Sequence, residues 1–214
     1  MNDKEENLKG NEAAPASWCP LPWSHVSVKS NGTFRICCHS AASGTRGVLV
    51  DDNNIPLTVE SASFEQVINN SAMKNIRTQM LKGEWADSCV RCQRESNSGM
   101  LSRNQYERYA LADIIEKEKY PSYQKAKAVT DADGTIQNDE FPISYMDIRF
   151  GNLCNLKCVM CSPTDSDQWY DDYAAVWNTT HFWDNKKQIN LAPNINGKLK
   201  PTTKIFQLVV WLNW

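Results

Sequence analysis

The sequence predicts an α+β module, built from a β-hairpin and helices, followed by the first βα unit or units of an incomplete α/β barrel. Three observations carry this. Asn31-Gly32 sits between two alternating stretches, Ser24 to Lys29 and Thr33 to Cys38, and Asn-Gly is the strongest short hairpin signal. Two stretches of helical character follow, Ser63 to Leu81 and about Leu101 to Lys119. Then Ile143 to Phe150, rich in β-branched and aromatic residues, ends at Gly151-Asn152 and leads through a cysteine loop into a helix-like Asp165 to Val176. Strand, loop and helix in that order open a barrel whose site lies beyond the strand ends.

Taken in order, Met1 to Ser17 is polar, with an Ala/Pro break at Ala13 to Ala16, and reads as a disordered tail. Order begins at Trp18-Cys19-Pro20-Leu21-Pro22-Trp23. In the hairpin, alternation puts Val26, Val28, Phe34, Ile36 and Cys38 on an apolar face, and His25, Ser27, Arg35 and Cys37 on the other. Gly44 to Leu57 reads as a loop. Ser63 is a candidate N-cap with Gln66 three residues on, and Gly83 is a C-terminal stop. Phe64, Val67, Ile68, Ile76, Met80 and Leu81 form the helix's apolar stripe.

Cys89-Val90-Arg91-Cys92 precedes the second helix, which holds Tyr106, Tyr109, Leu111, Ile114 and Ile115. Tyr120 to Glu140 reads as a linker. Its Asp131-Ala132-Asp133-Gly134 has a faint likeness to a calcium loop, but the glycine offset and downstream glutamate are wrong for an EF-hand, and a solvated turn is expected. The expected divisions are a tail over 1–17, a module over 18–119, a linker over 120–142 and the start of a barrel over 143–214.

The 214 residues suffice for one or two domains. Formal charge is −2 with both signs intermixed, so nothing supports nucleic acid binding. The first dozen residues lack the apolar core of a signal peptide, and the longest apolar run, Ile205 to Trp214, is too short to span a bilayer. A cytoplasmic protein without membrane association is expected. Eight cysteines in such a chain argue for metal or redox work rather than disulfides. The Asn-X-Ser/Thr matches at Asn31, Asn69 and Asn178 are then incidental.

Gly151-Asn152-Leu153-Cys154-Asn155-Leu156-Lys157-Cys158-Val159-Met160-Cys161 places three thiols within eight residues. Three thiolates can hold three corners of a cubic iron–sulfur cluster, and no local fourth cysteine closes it. An open metal position is where chemistry happens. Zinc, which prefers four ligands in paired sets, fits this spacing poorly. The loop resembles the cluster motif of the radical S-adenosylmethionine (SAM) superfamily. The resemblance implies that Cys154, Cys158 and Cys161 ligate a [4Fe–4S] cluster whose open iron takes SAM. It also implies reductive cleavage of SAM to methionine and a 5′-deoxyadenosyl radical that abstracts hydrogen from substrate. Met160 stands where the superfamily often has an aromatic residue near the adenine. Substrates in that group are often peptides or other small precursors, and the electron donor is a flavodoxin or ferredoxin.

Of the five remaining cysteines, Cys19, Cys37, Cys89 and Cys92 make a four-ligand set and leave Cys38 as a core residue. Twelve residues separate Cys19 from Gly32 and four separate Gly32 from Cys37. This spacing, with the Trp18-Cys19-Pro20 and Pro22-Trp23-Ser24-His25 entry, resembles the opening of SPASM/twitch auxiliary-cluster modules over roughly Trp18 to Glu95. The resemblance implies an auxiliary [4Fe–4S] cluster. The usual order, module after barrel, is reversed here. On the residues alone, a split Cys₄ site also suits zinc, so a non-catalytic Cys₄ zinc or iron–sulfur module is the alternative, as is a four-thiol electron carrier. Trp18 and Trp23 are read either as a water shield for the site or as core. His25, His39 and His181 are each able to replace a thiol ligand or carry a proton, and none is assigned a role.

The resemblance thins toward the end. A (β/α) barrel needs about 200 residues or more, and no adjacent glycine pair offers the Gly-Gly-Glu-like segment that binds the SAM amino group. Lys204 to Val210 reads as a second strand. The expectation is an N-terminal portion of a longer radical SAM enzyme.

Overall fold

Pro20 opens the first ordered element, because a proline ring pre-sets the backbone angle a helix start needs. The computed structural model describes residues 14–40, 47–114, 121–137, 143, 145–184 and 187–203. The chain divides into two compact units. One runs to Ser27 and resumes from Phe34 to Asp147; the other holds Val28–Thr33 and the chain from Ile148 on.

In the first unit, a single helical turn α1 (Leu21–Ser24) leads directly into strand β1 (His25–Val28), and β2 is Phe34–Arg35. The hairpin turn forms as the Asn-Gly pair dictates. Gly32 takes a positive φ of 78°, and the Asn31 side chain accepts from the Thr33 N–H and hydroxyl. The strand β1 lies between β2 and β3 (Tyr145–Ile148). Central placement explains one departure from the sequence reading: all four β1 residues are buried, so the hairpin has no solvent face. Cys38 is only half-buried, in a turn beyond β2, and is not a core residue.

Part of the 44–57 loop is also buried. Val48 and Leu49 pack inside, and Leu49 N–H donates to Phe34 O at 2.9 Å, extending the edge at β2. Positions 44–46 of that loop lie outside the described residues.

The Ser63 to Leu81 stretch is two helices, not one: α2 (Phe64–Ile68) and α3 (Ser71–Leu81). Ser63 and Gln66 make the expected capping box. The break falls at Asn69-Asn70, where Asn70 caps α3 through Ala72 N–H at 3.0 Å. Asparagine competes with helical backbone bonding and favours caps, so two in succession end one helix and start another. Helix α3 buries Met73, Ile76, Arg77 and Met80, whereas Phe64 is exposed. Gly83 stops the helix with a φ of 82°.

A 3-10 turn (Asp87–Cys89) runs into α4 (Val90–Asn97), and α5 spans Arg103–Ile114. The expected continuation to Lys119 lies outside the described residues. Inside the stretch read as a linker, α6 (Tyr123–Val129) forms behind a Ser122 cap and buries Tyr123 and Ala126. Asp131 to Gly134 is a surface turn in which Asp133 pairs with Lys74 at 2.9 Å.

In the second unit, the cysteine loop is followed by a 3-10 turn (Asp167–Trp169) and α7 (Tyr170–Trp177), as the helix-like stretch predicts. The chain then makes an antiparallel meander of β4 (His181–Asp184), β5 (Lys187–Pro193) and β6 (Leu199–Pro201), which the sequence reading did not foresee. Tyr170, Phe182, Ile189 and Leu191 form this unit's core. Lys204 to Val210, read as a strand, lies outside the described residues. No helix among those described is long and apolar enough to cross a membrane.

Candidate metal centres

The entry segment is held by α5 from far along the chain. Asn104 Nδ2 donates to Ala16 O at 2.8 Å and Trp18 O at 3.2 Å, and Arg108 donates to Pro15 O, Ala16 O and Trp18 O. These bonds fix Cys19 one residue on. Cys37 sits just past β2, where its carbonyl accepts from the Ser40 N–H and hydroxyl. Cys89 ends the 3-10 turn and Cys92 lies in the first turn of α4, so the CxxC pair faces a helix N-terminus, which favours thiolate charge.

These four cysteines line one cavity, together with Ile76, Met80, Trp85, Arg103 and Asn104 among others. The four thiols read from spacing therefore meet in space from three separate segments, those of Cys19, Cys37 and the Cys89/Cys92 pair. Apart from the sulfurs, Ser17, Arg103 and Asn104, the lining is apolar. Burial pushes the Cys37 and Cys89 thiols up to about 12, and raises Cys19 and Cys92 as well. Their mutual charge adds to this: Cys19 feels Cys37, Cys89 and Cys92, and Cys37 feels Cys89 and Cys92. Against that repulsion, each sulfur has a donor. Backbone N–H groups of Leu21 and His39 serve Cys19 and Cys37, the Ser88 hydroxyl serves Cys89, and the N–H groups of Arg103 and Asn104 at the start of α5 serve Cys92. Donors aimed at thiolate sulfur are a principal lever on iron–sulfur potentials.

The spacing bears on which metal fits. Zinc–sulfur bonds of about 2.3 Å on a tetrahedron put the sulfurs roughly 3.8 Å apart. Among the described residues, His39, Cys92 and Glu95 have ligand atoms that all fall within 4.8 Å of one another. Four iron corners spread their thiolates wider than one ion does, so sulfur spacing is what separates a cluster from a single zinc.

Trp18 and Trp23 do not line this cavity. Their rings stand 4.6 Å apart and Trp18 meets Tyr123 edge-on at 5.3 Å, which is core packing. Trp85, Arg103 and Asn104 were missed by sequence reasoning. Only the polar start of α5 beside the CxxC pair hinted at them.

In the second unit, the loop is shaped from beneath. Buried Asn152 donates to Pro163 O at 2.9 Å and Tyr170 Oη at 2.6 Å, pinning the two ends of the loop together. Ser166 Oγ donates to Leu156 O and Trp169 Nε1 to Cys158 O. Cys154 N–H donates to Asp167, and Leu156 N–H reaches Cys154 Sγ at 3.4 Å. Cys161 is raised by desolvation, then by charge on Cys158, Asp165 and Cys154, so its sulfur lies within reach of both other thiols. Cys158 is exposed and the other two are half-buried. Met160 is 97 % exposed beside them. The loop offers three accessible thiols and no fourth.

No curated protein and no solved structure matches the chain. A family model does: the SPASM iron–sulfur cluster-binding domain matches residues 19–93, from the first of the four cavity thiols to one residue past the last. For this stretch, the match implies iron–sulfur cluster binding.

Proposed function

We propose that this is an iron–sulfur protein of the radical SAM type, with an auxiliary [4Fe–4S] cluster at Cys19, Cys37, Cys89 and Cys92 and a SAM-binding [4Fe–4S] cluster at Cys154, Cys158 and Cys161. The observation that carries it is the convergence of four thiols from three sequence-distant segments on one largely apolar cavity, each sulfur with its own donor. The three-thiol loop supports the second half through its accessible, incomplete ligand set.

Cys154, Cys158 and Cys161 would hold the loop cluster, which would supply one-electron reductive cleavage of SAM for hydrogen abstraction from a substrate such as a peptide, with a flavodoxin or ferredoxin as electron donor. The chain's own part is to bind and tune. Asn152 and Ser166 hold the loop open toward solvent at Cys158. Met160, apolar and polarizable, offers the adenine a packing surface. In the four-thiol cavity, apolar walls exclude water and the donors to sulfur stabilise the anionic state, which suits electron transfer or structural support.

Anaerobic reconstitution with iron and sulfide tests both halves. The expected result is about eight irons per chain, falling to about four in a Cys154, Cys158, Cys161 triple Ala variant and to about four in a Cys19, Cys37 double Ala variant. Zinc near one equivalent, with iron in the loop alone, would overturn the auxiliary-cluster half. A loop cluster whose EPR signal ignores added SAM would overturn the other.

A further inference from the structure

We propose that His39, Cys92 and Glu95 form a site for a single divalent ion of the zinc class, which competes with the auxiliary cluster for the Cys92 sulfur. One imidazole nitrogen, one sulfur and one carboxylate oxygen lie within 4.8 Å of one another. Tetrahedral ligand atoms around a zinc-class ion sit roughly 3.3–3.8 Å apart, so small side-chain rotations close this set.

Two of the ligands are built into one face of α4, since Cys92 and Glu95 are three residues apart on a helix. The third comes from the turn after β2. The Nδ1 atom of His39 is buried and has no hydrogen-bond partner, which leaves it available to a metal. Arg91 Nε holds Glu95 Oε1 at 3.0 Å, fixing the carboxylate and leaving Oε2 for the ion. His39 and Glu95 are half-exposed, so a water completes the fourth position from solvent. Imidazole, thiolate and carboxylate together suit zinc or cobalt rather than calcium or magnesium.

Binding releases one proton, from the Cys92 thiol to solvent. The cubane needs the same sulfur, so an ion at this site blocks cluster assembly until it leaves. The competition rests on the cluster reading above; the ion site does not.

The test is a Co²⁺ titration of the full chain carrying Cys154→Ala, Cys158→Ala and Cys161→Ala, which removes the loop thiols and serves as the parent, purified without metal under argon. The expected thiolate-to-cobalt charge-transfer band has the intensity of one thiolate. His39→Gln and Glu95→Gln each weaken Co²⁺ binding about tenfold or more, while Cys19→Ala and Cys37→Ser leave the affinity unchanged. His39→Gln and Glu95→Gln take up as much iron as the parent on reconstitution. Prior Zn²⁺ slows iron uptake in the parent and not in His39→Gln. A band of three or four thiolates, loss of binding in both cysteine variants, or parental affinity in His39→Gln and Glu95→Gln would overturn the site. Failure of every variant and the parent to take up iron would sink the cluster reading and the competition, and leave the cobalt result standing.

Discussion

Arg77 Nη1 donates to the backbone oxygen of Gly134 at 3.0 Å, joining α3 to the turn after α6. The same guanidinium donates to Pro22 O at 2.9 Å, Ile68 O at 2.7 Å and Asn69 Oδ1 at 3.2 Å, with none of its surface exposed. Four segments of the first unit thus share one planar fork. Burial lowers its pKa to about 10, so it stays charged at neutral pH. Arg77→Met orphans these acceptors in an apolar setting and is expected to cost about 3 kcal/mol or more. Arg77→Lys recovers little of this, because an ammonium cannot match the fork. Urea unfolding of both variants checks it; a loss under 1 kcal/mol would contradict the claim.

Gly134 itself is constrained twice. Its φ is +88°, and an added Cβ would stand 2.2 Å from Lys74 O. Gly99 has a similar φ of +71° with nothing within 4 Å. Gly99→Ala therefore carries the left-handed backbone cost of about 1–2 kcal/mol. Gly134→Ala adds a backbone clash and is expected to exceed that by at least about 1 kcal/mol. Equal melting points for the two variants would refute the close approach.

Acid should weaken the fold through His25. Its ring is buried and stacks on Tyr145 at 4.9 Å. Burial lowers its pKa to about 4, although Asp147 pulls upward and Arg103 downward. The folded value lies below the ordinary 6.5, so the unfolded chain takes the proton first. The contribution is complete above about pH 6.5 and is lost as pH falls toward 4, a total of roughly 3 kcal/mol. His25→Phe keeps the stack and removes the titration. Unfolding free energies between pH 7 and 4 should slope less in that variant, and an unchanged slope would reject His25 as the cause.

Thiol reactivity in the metal-free chain should separate the two cysteine groups. With pKa values near 12, Cys37 and Cys89 hold about a thousandfold less thiolate at pH 8 than an ordinary cysteine. Exposed Cys158 is expected to react first with iodoacetamide and Cys37 and Cys89 last, as followed by peptide mass spectrometry. Equal rates at Cys37 and Cys158 would show that the cavity is not dry.

Local signals were the legible part of this chain. The Asn31-Gly32 turn, the Ser63/Gln66 capping box and the Gly83 stop each act within a few residues, and each stands as expected. The four-thiol set was legible because cysteine is scarce and its spacing distinctive. What stayed hidden depends on distance along the chain. Asn104 and Arg108 reach back some 86 to 93 residues to fix the entry segment, which no local pattern announces. The break at Asn69-Asn70 is stabilised by Arg77 gathering Ile68 O and Asn69 Oδ1, a tertiary contact that outweighs helix periodicity. Pro121 and the Asp/Gly turn masked α6, and β4 and β6 are only four and three residues long, although Gln188 to Leu191 in β5 does alternate.

The hairpin tip has a bearing on how this protein is dissected. Val28–Thr33 belongs to the second unit, where Arg149 N–H donates to Val28 O at 3.0 Å and Asn31 Nδ2 to Asp184 Oδ1 across 153 positions. No single cut separates the units. A gene fragment starting near Ile148 arrives without six residues that its product packs against. During synthesis the same tip leaves the ribosome long before its partners exist, so the second unit closes only after translation has passed Asp184. Separate expression of the two halves with the tip supplied as a peptide is therefore a rescue experiment rather than a simple truncation.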